Sequence, residues 1–331
     1  MEYILRNKFR RILIVALGGG GDVATAAMLA LALRRLGVES RVVSVAWERY
    51  VVDPIPGPIR LEDIRGGRFV GKYSMLVNSG SRAVRGGRET VFQAVKVSKI
   101  LGEEIGVVDL FRGVLGVREG VKELMNFFDA DLVIGVDVGG DILATGYEED
   151  LWSPLADFIG LASLRDLGGL LAVHSLGGDG ELSQEYLLKR ISLIAERKGF
   201  LGARGMTYED YEVLKEILGI VESEASRTSL IAFEGFHGEL GMREGSRRSI
   251  INIINTLTFF LDPKIVASLN PFINDLSKTT SIYEAREILN RHGVFTELDL
   301  EENIYELLRN NQIITGETLL MIKRRFRSLK K

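Results

Sequence analysis

Short, uninterrupted apolar runs recur along the chain at Ile12–Leu17, Arg41–Trp47, Tyr73–Val77, Val107–Leu110, Leu132–Val138, Leu170–Ser175 and Leu230–Phe233. They lack strict in–out alternation. Strands covered on both faces read this way, as in a parallel sheet packed between helices. Longer segments of helical period lie between them, at Val23–Leu36, Val91–Leu101, Arg118–Phe127, Leu151–Leu164, Gln184–Arg197 and Tyr208–Leu218.

Strand–helix alternation predicts an α/β fold with a doubly wound, mostly parallel sheet of Rossmann-like type. Right-handed crossovers then gather the loops that follow the strands on one edge of the sheet. Beyond Asp262-Pro263 the strand signals cease and helical pattern continues at Ile282–Asn290 and Leu300–Arg309, with Asp299 expected as the cap of the second. The expected organisation is one α/β domain over residues 1–262 and a small helical C-terminal subdomain over 263–331.

Composition sharpens this picture at one point. Glycine supplies 37 of 331 residues, against about 7% in an average protein, while proline supplies only 6. The excess is clustered: fourteen glycines fall in the runs Gly18–Gly21, Gly66-Gly67, Gly86-Gly87, Gly139-Gly140, Gly168-Gly169 and Gly177-Gly178. A net charge of −3 gives no global basic field for nucleic acid. The absence of cysteine removes disulfides, thiolate nucleophiles and iron–sulfur clusters, and three histidines argue against a His-rich zinc site. Few Gln, no Cys and many charged residues fit adaptation to heat. The apolar run after the basic N-terminus is too short for a secretory signal, and no stretch approaches the roughly 18 apolar residues of a membrane span, so a cytoplasmic location is expected.

Three glycine loops follow strands and abut an Asp. The first, Gly18–Gly21 with Asp22, opens a helix. Its spacing Gly19-x-Gly21-x-x-Ala24 satisfies the relaxed dinucleotide pattern, and Glu48 stands where a ribose-binding acid belongs. Asp22 would repel a phosphate unless a cation intervened; otherwise it is a helix cap. The loop resembles the strand–SGGxDS–helix loop of ATP pyrophosphatases, with Gly18 and Val23 where that loop has serines. The second loop is Asp137-Val138-Gly139-Gly140-Asp141, whose two carboxylates could share a divalent cation. The third runs from His174 through Gly177-Gly178-Asp179 to Glu181. His174, polar at the end of an apolar strand, and Asp179 are the candidate acid–base pair. No nucleophile elbow is evident, which disfavours acyl transfer.

Other stretches could border this edge. Half the prolines lie in Asp53-Pro54 through Pro58, a rigid loop after the second strand. Arg243, Arg247 and Arg248 follow the run Leu230–Phe233 and suit phosphate or carboxylate clamping unless they are surface arginines, while Arg82, Arg85 and Arg88 flank Gly86-Gly87 as a mobile basic lid over a phosphate or an exposed loop. Residues Lys323–Lys331 carry six basic side chains in nine, most simply a solvated helix end.

The string GGGGDVATA, the DPxPGPI loop, the DVGGDxLxxG segment running into SPLAD, and TELDLE at Thr296–Glu301 together resemble a largely archaeal family of unknown function. The resemblance implies a cytoplasmic protein and no particular activity.

The sequence therefore favours an enzyme that binds a nucleotide or phosphorylated metabolite and performs Mg²⁺-dependent hydrolysis or group transfer. Gly18, Gly19, Gly20, Gly21, Asp22, Glu48, Gly139, Gly140, Gly177 and Gly178 would bind the ligand, Asp137 and Asp141 would hold the metal or a ribose, and His174 and Asp179 would move protons. The alternative is a non-catalytic regulatory protein using the same pocket; an RNA-associated factor acting through the basic tail is a weaker third. No membrane partner is expected, and a homo-oligomer is compatible.

Overall fold

The structure is a computed structural model that describes residues 2–330, with the side chains of residues 2, 329 and 330 outside the description. Its strands, in chain order, are β1 Arg11–Ala16, β2 Glu39–Val45, β3 Ile64–Arg65, β4 Arg68–Phe69, β5 Ser74–Val77, β6 Arg82–Arg85, β7 Arg88–Thr90, β8 Ile105–Val108, β9 Leu132–Val138, β10 Leu170–His174, β11 Phe200–Gly205, β12 Gly238–Met242, β13 Arg247–Ile251 and β14 Leu257–Leu261. Its helices are α1 Glu2–Arg6, α2 Val23–Arg35, α3 Gln93–Leu101, α4 Gly113–Phe128, α5 Pro154–Leu167, α6 Gln184–Glu196, α7 Tyr208–Leu218, α8 Glu224–Phe233, α9 Pro263–Ser268, α10 Ile273–Leu276, α11 Ile282–Arg291, α12 Glu297–Arg309 and α13 Gly316–Lys330.

A nine-stranded sheet in the order β11-β14-β10-β9-β1-β2-β8-β5-β4 forms the centre. Its five inner strands, β10-β9-β1-β2-β8, are mutually parallel. Antiparallel strands extend both edges: β14 and β11 beyond β10, β5 and β4 beyond β8. Tyr73–Val77 is thus a strand as expected, running opposite to its neighbour. The continuous apolar runs of β1 and β9 are explained by burial on both faces. Leu13, Val15 and Val133 enter one core with Leu155, Phe158 and Ile159 of α5. Ile12, Ile14 and Ile134 enter the other with α2, α3 and α7.

One expected strand is a helix. Leu230–Phe233 closes α8, whose N-cap Ser223 accepts from the Ser226 amide. Thr228 and Ser229 return their hydroxyls to the carbonyls of Ala225 and Ser226 at 2.6 and 2.7 Å. Those turns satisfy buried hydroxyls along a face the sequence shows only as four apolar residues. The strands over 200–205 and 257–261, unread in the sequence, include an irregular Gly202 at φ +131° and an edge that is largely exposed.

Beyond Leu261 every regular element among the described residues is a helix. Val266, Phe272, Leu276 and Leu289 join the main core. Leu300, Ile304, Leu319 and Ile322 build a small separate core with Trp152 and Phe295. Thr296, not Asp299, caps α12: the Thr296 side chain accepts from the Asp299 amide while the Asp299 carboxylate accepts from the Thr296 amide. No described helix is long and apolar enough to cross a membrane.

Candidate functional site

The carboxyl ends of the parallel strands open into a cleft of about 170 Å³. Gly18–Asp22 after β1, Trp47–Val52 after β2, Asp137 and Asp141 from β9 and its turn, and Asp179 and Glu181 after β10 line it. Asp157 of α5, Arg243 and Arg247 of the β12–β13 region, and Glu297 and Glu301 of α12 complete the wall. A larger hollow of about 470 Å³ lies beside the start of β10, lined by Leu36, Leu170 and Phe260, and has no comparable acid cluster.

The cleft is defined by carboxylates removed from water. Asp22, Asp137, Asp141, Asp157, Asp179 and Glu181 are all at most 7% exposed. Asp141, Asp179 and Glu181 each offer an oxygen within 4.8 Å of the others. Burial pushes most of these acids up, and their neighbours reinforce it. Asp137 is raised to about 7, first by burial and then by Asp179 and Glu181. Asp22, Asp141 and Asp157 are raised well above the usual carboxylate range, again by burial first and then by neighbouring acids, chiefly Asp137 on Asp22 and Asp157 and Asp179 on Asp141. Glu181 is the exception: burial pushes it up, but Arg247 together with the hydrogen bonds it accepts holds it below the usual range.

The oxygens differ in what satisfies them. Glu181 is fully engaged. It accepts from Arg247, from the Ser153 hydroxyl, and from the amides of Trp152 and Ser153 at 2.5 and 3.0 Å. By contrast, Asp137 Oδ2, Asp141 Oδ1 and Asp157 Oδ1 are buried and meet no N–H or hydroxyl donor. A buried carboxylate oxygen in that state must share a proton with another acid or bind a cation.

Close approach explains two of the glycine positions. A Cβ on Gly18 would stand 2.5 Å from Asp22 Oδ2 and 3.2 Å from Asp157 Oδ1. Gly139, at φ +121°, would place one 2.5 Å from the Asp179 carboxylate. Gly139, Gly140, Gly177 and Gly178 do not line the cleft. They form the turns behind it, with the Gly177 amide donating to the Gly139 carbonyl at 2.7 Å. At the first loop, the Gly20 amide donates to the Trp47 carbonyl at 2.7 Å, so it is not free for an anion. Asp22 makes no cap hydrogen bond to α2. Glu48 accepts from the Gln93 amide at 3.0 Å at the start of α3, and burial raises it to about 7.

His174 does not face the cleft. In the β9–β10 register Val173 is opposite Asp137 and His174 is opposite Val138, so the imidazole lies on the other side of the sheet from the acids. There its Nδ1 meets the Thr258 hydroxyl at 2.9 Å, and burial lowers it to about 4.

Among the acids of the wall that escaped the sequence reading as site residues are Asp157, Glu181, Glu297 and Glu301. Glu297 accepts from the Leu155 and Ala156 amides at 2.9 and 2.8 Å and so caps α5, while the Ser153 hydroxyl turns to Asp141 and Glu181. Glu301 accepts from the Gly57 amide at 2.9 Å, holding the Pro-rich loop. The SPLAD, DPxPGPI and TELDLE motifs therefore meet one another. Arg85 is no mobile lid: it donates to the carbonyls of Ile55, Pro56 and Gly57 at 2.9, 2.8 and 3.0 Å. Arg248 is exposed and pairs with Glu239. Lys323, expected in solvent, is 5% exposed and lies 4.1 Å from the Trp152 ring centre, where burial lowers it to about 7. The tail side chains of residues 329–331 lie outside the described residues.

Sheet and cleft together define an α/β protein with an acidic site at the ends of its parallel strands. The family described as "Protein of unknown function (DUF1152)" matches residues 13–305, and the chain belongs to it. Neither the curated proteins nor the solved structures contain a match.

Proposed function

We propose that this protein is a Mg²⁺-dependent enzyme that acts on a nucleotide or phosphorylated metabolite by hydrolysis or group transfer. We read its sheet as doubly wound and Rossmann-like, with the helices after residue 262 as a C-terminal extension over the strand ends. Ligand sites in such sheets lie outside the carboxyl ends of the strands.

One observation carries the reading: Asp137 Oδ2 and Asp141 Oδ1 are buried at the cleft with no donor to satisfy them. An all-oxygen donor set suits a hard divalent cation, which keeps waters and bridges carboxylates to phosphate oxygens. Such a cation would neutralise charge developing on a phosphoryl or glycosyl centre. On the chain's side, Arg243 and Arg247 line the same cleft and supply guanidinium donors for a phosphate. Asp179, beside Asp141, adds a carboxylate to the same cation-binding wall. His174 has no part in this reading.

The experiment is a thermal-shift screen of nucleotides and sugar phosphates, with and without Mg²⁺, followed by product analysis of every hit. The reading expects stabilisation that requires both Mg²⁺ and a phosphorylated ligand, followed by turnover. A hit that remains chemically unchanged after long incubation makes the protein a regulatory binder. No metal-dependent shift with any compound removes the phosphate site.

A further inference from the structure

The acids of the cleft divide into two groups with different surroundings. Asp141, Asp179 and Glu181 converge within 4.8 Å and have a basic partner, since Arg247 pairs with Glu181. Asp22, Asp137 and Asp157 have none. Among the described residues no Lys or Arg forms an ion pair with them, and the strongest charges acting on Asp22 and Asp157 are those of other acids.

The second group is nevertheless assembled closely. After burial, the charge of Asp137 is the strongest influence raising Asp157. Asp22 Oδ2 and Asp157 Oδ1 both crowd Gly18, standing 2.5 and 3.2 Å from where a Cβ would lie. Asp137 is 2% and Asp157 4% exposed, and each holds a buried oxygen that no N–H or hydroxyl reaches. Three different elements deliver these carboxylates: the turn after β1, the end of β9 and the first turn of α5.

Charge counting points the same way. With all six carboxylates ionised, one paired arginine leaves a deficit of five. One divalent cation beside Asp141 and Asp179 leaves three negative charges, all concentrated on the group without a basic partner. A second divalent cation leaves one. Burial of like charges at this density demands protons or counter-ions.

We infer that Asp22, Asp137 and Asp157 form a second divalent-cation position, so that the cleft is a two-cation centre. The inference rests on the proposed metal-dependent reading and deepens it. Paired cations of this kind clamp the attacking and leaving oxygens of an in-line displacement at phosphorus, which narrows the reaction class to phosphoryl transfer or phosphate-ester hydrolysis.

Mn²⁺ binding to the full chain at pH 8 tests it, by calorimetry for stoichiometry and by electron paramagnetic resonance for coupling between ions. The expected wild-type result is two Mn²⁺ per chain with an exchange- or dipole-coupled spectrum. Asp157→Asn and Asp141→Asn should each retain one ion and lose the coupling. One uncoupled Mn²⁺ in the wild type, lost in Asp141→Asn and kept in Asp157→Asn, overturns the second position and leaves the single-cation reading standing. No Mn²⁺ bound to folded wild type overturns both. The wild-type stoichiometry and spectrum decide the matter even if a variant fails to fold.

Discussion

The Trp47 indole donates a 2.8 Å hydrogen bond to the Glu301 carboxylate, joining the end of β2 to the first turns of α12 across 254 residues of chain. The same oxygen accepts from the Gly57 amide. Burial raises Glu301 to about 8, so near neutrality it is largely protonated. Glu301→Gln preserves an acceptor and removes the ionisation. Glu301→Ala leaves two buried donors unmet, each worth about 1–3 kcal/mol. Denaturant melts at pH 7 should place Ala well below Gln. A raised acid is protonated more in the folded than in the unfolded chain, so its stabilisation is lost as pH rises from about 4.5 to about 8. Glu301→Gln should therefore gain on wild type with rising pH; a constant difference would show that the group does not titrate there.

The cation-free cleft should have the same sign of pH dependence, on a larger scale. Burial raises Asp137 out of the usual carboxylate range to about 7. Stability in chelator should fall between pH 5 and 8, and added Mg²⁺ should restore it most at pH 8, where protons no longer compete for the oxygens. A melting temperature that rises with pH in chelator contradicts the burial of these acids.

Gly139→Ala combines a left-handed backbone with a Cβ 2.5 Å from the Asp179 carboxylate. It should lower stability by about 1–3 kcal/mol and weaken Mn²⁺ binding. Gly168→Ala, also at positive φ but with nothing within 4 Å, should cost stability alone. Equal Mn²⁺ affinity in the two variants would remove Asp179 from the cation's surroundings.

Arg85→Lys replaces a planar fork with a single ammonium. Lysine cannot span the carbonyls of Ile55, Pro56 and Gly57 as the guanidinium does. Amide exchange over residues 55–60 should quicken about tenfold, the equivalent of one lost net hydrogen bond, while exchange in β9 stays unchanged. Unaltered exchange in the loop would mean that the prolines alone fix it.

The legible part of this molecule was the part with local causes. Buried parallel strands announce themselves as continuous apolar runs, and the glycine-plus-Asp loops after β1, β9 and β10 placed Asp22, Asp137, Asp141 and Asp179 in one cleft. Strand direction was not legible, because residues 73–77 read alike either way. The His174 assignment failed on parity: one residue along β10 exchanges the faces of the sheet. Asp157 and Glu297 looked like ordinary acids in the first turns of helices. Their long-range partners depend on how α12 returns to the strand ends, and the motifs SPLAD and TELDLE were the only local signal that these segments belonged to the site.

The most direct measurement is the anomalous diffraction of crystals grown with Mn²⁺ and a nucleoside diphosphate. The account predicts manganese peaks against Asp137 and Asp141 and ligand phosphate between the metal and Arg243 or Arg247. Manganese absent from the cleft, with ordered waters or the ligand's apolar part against those carboxylates, would contradict it.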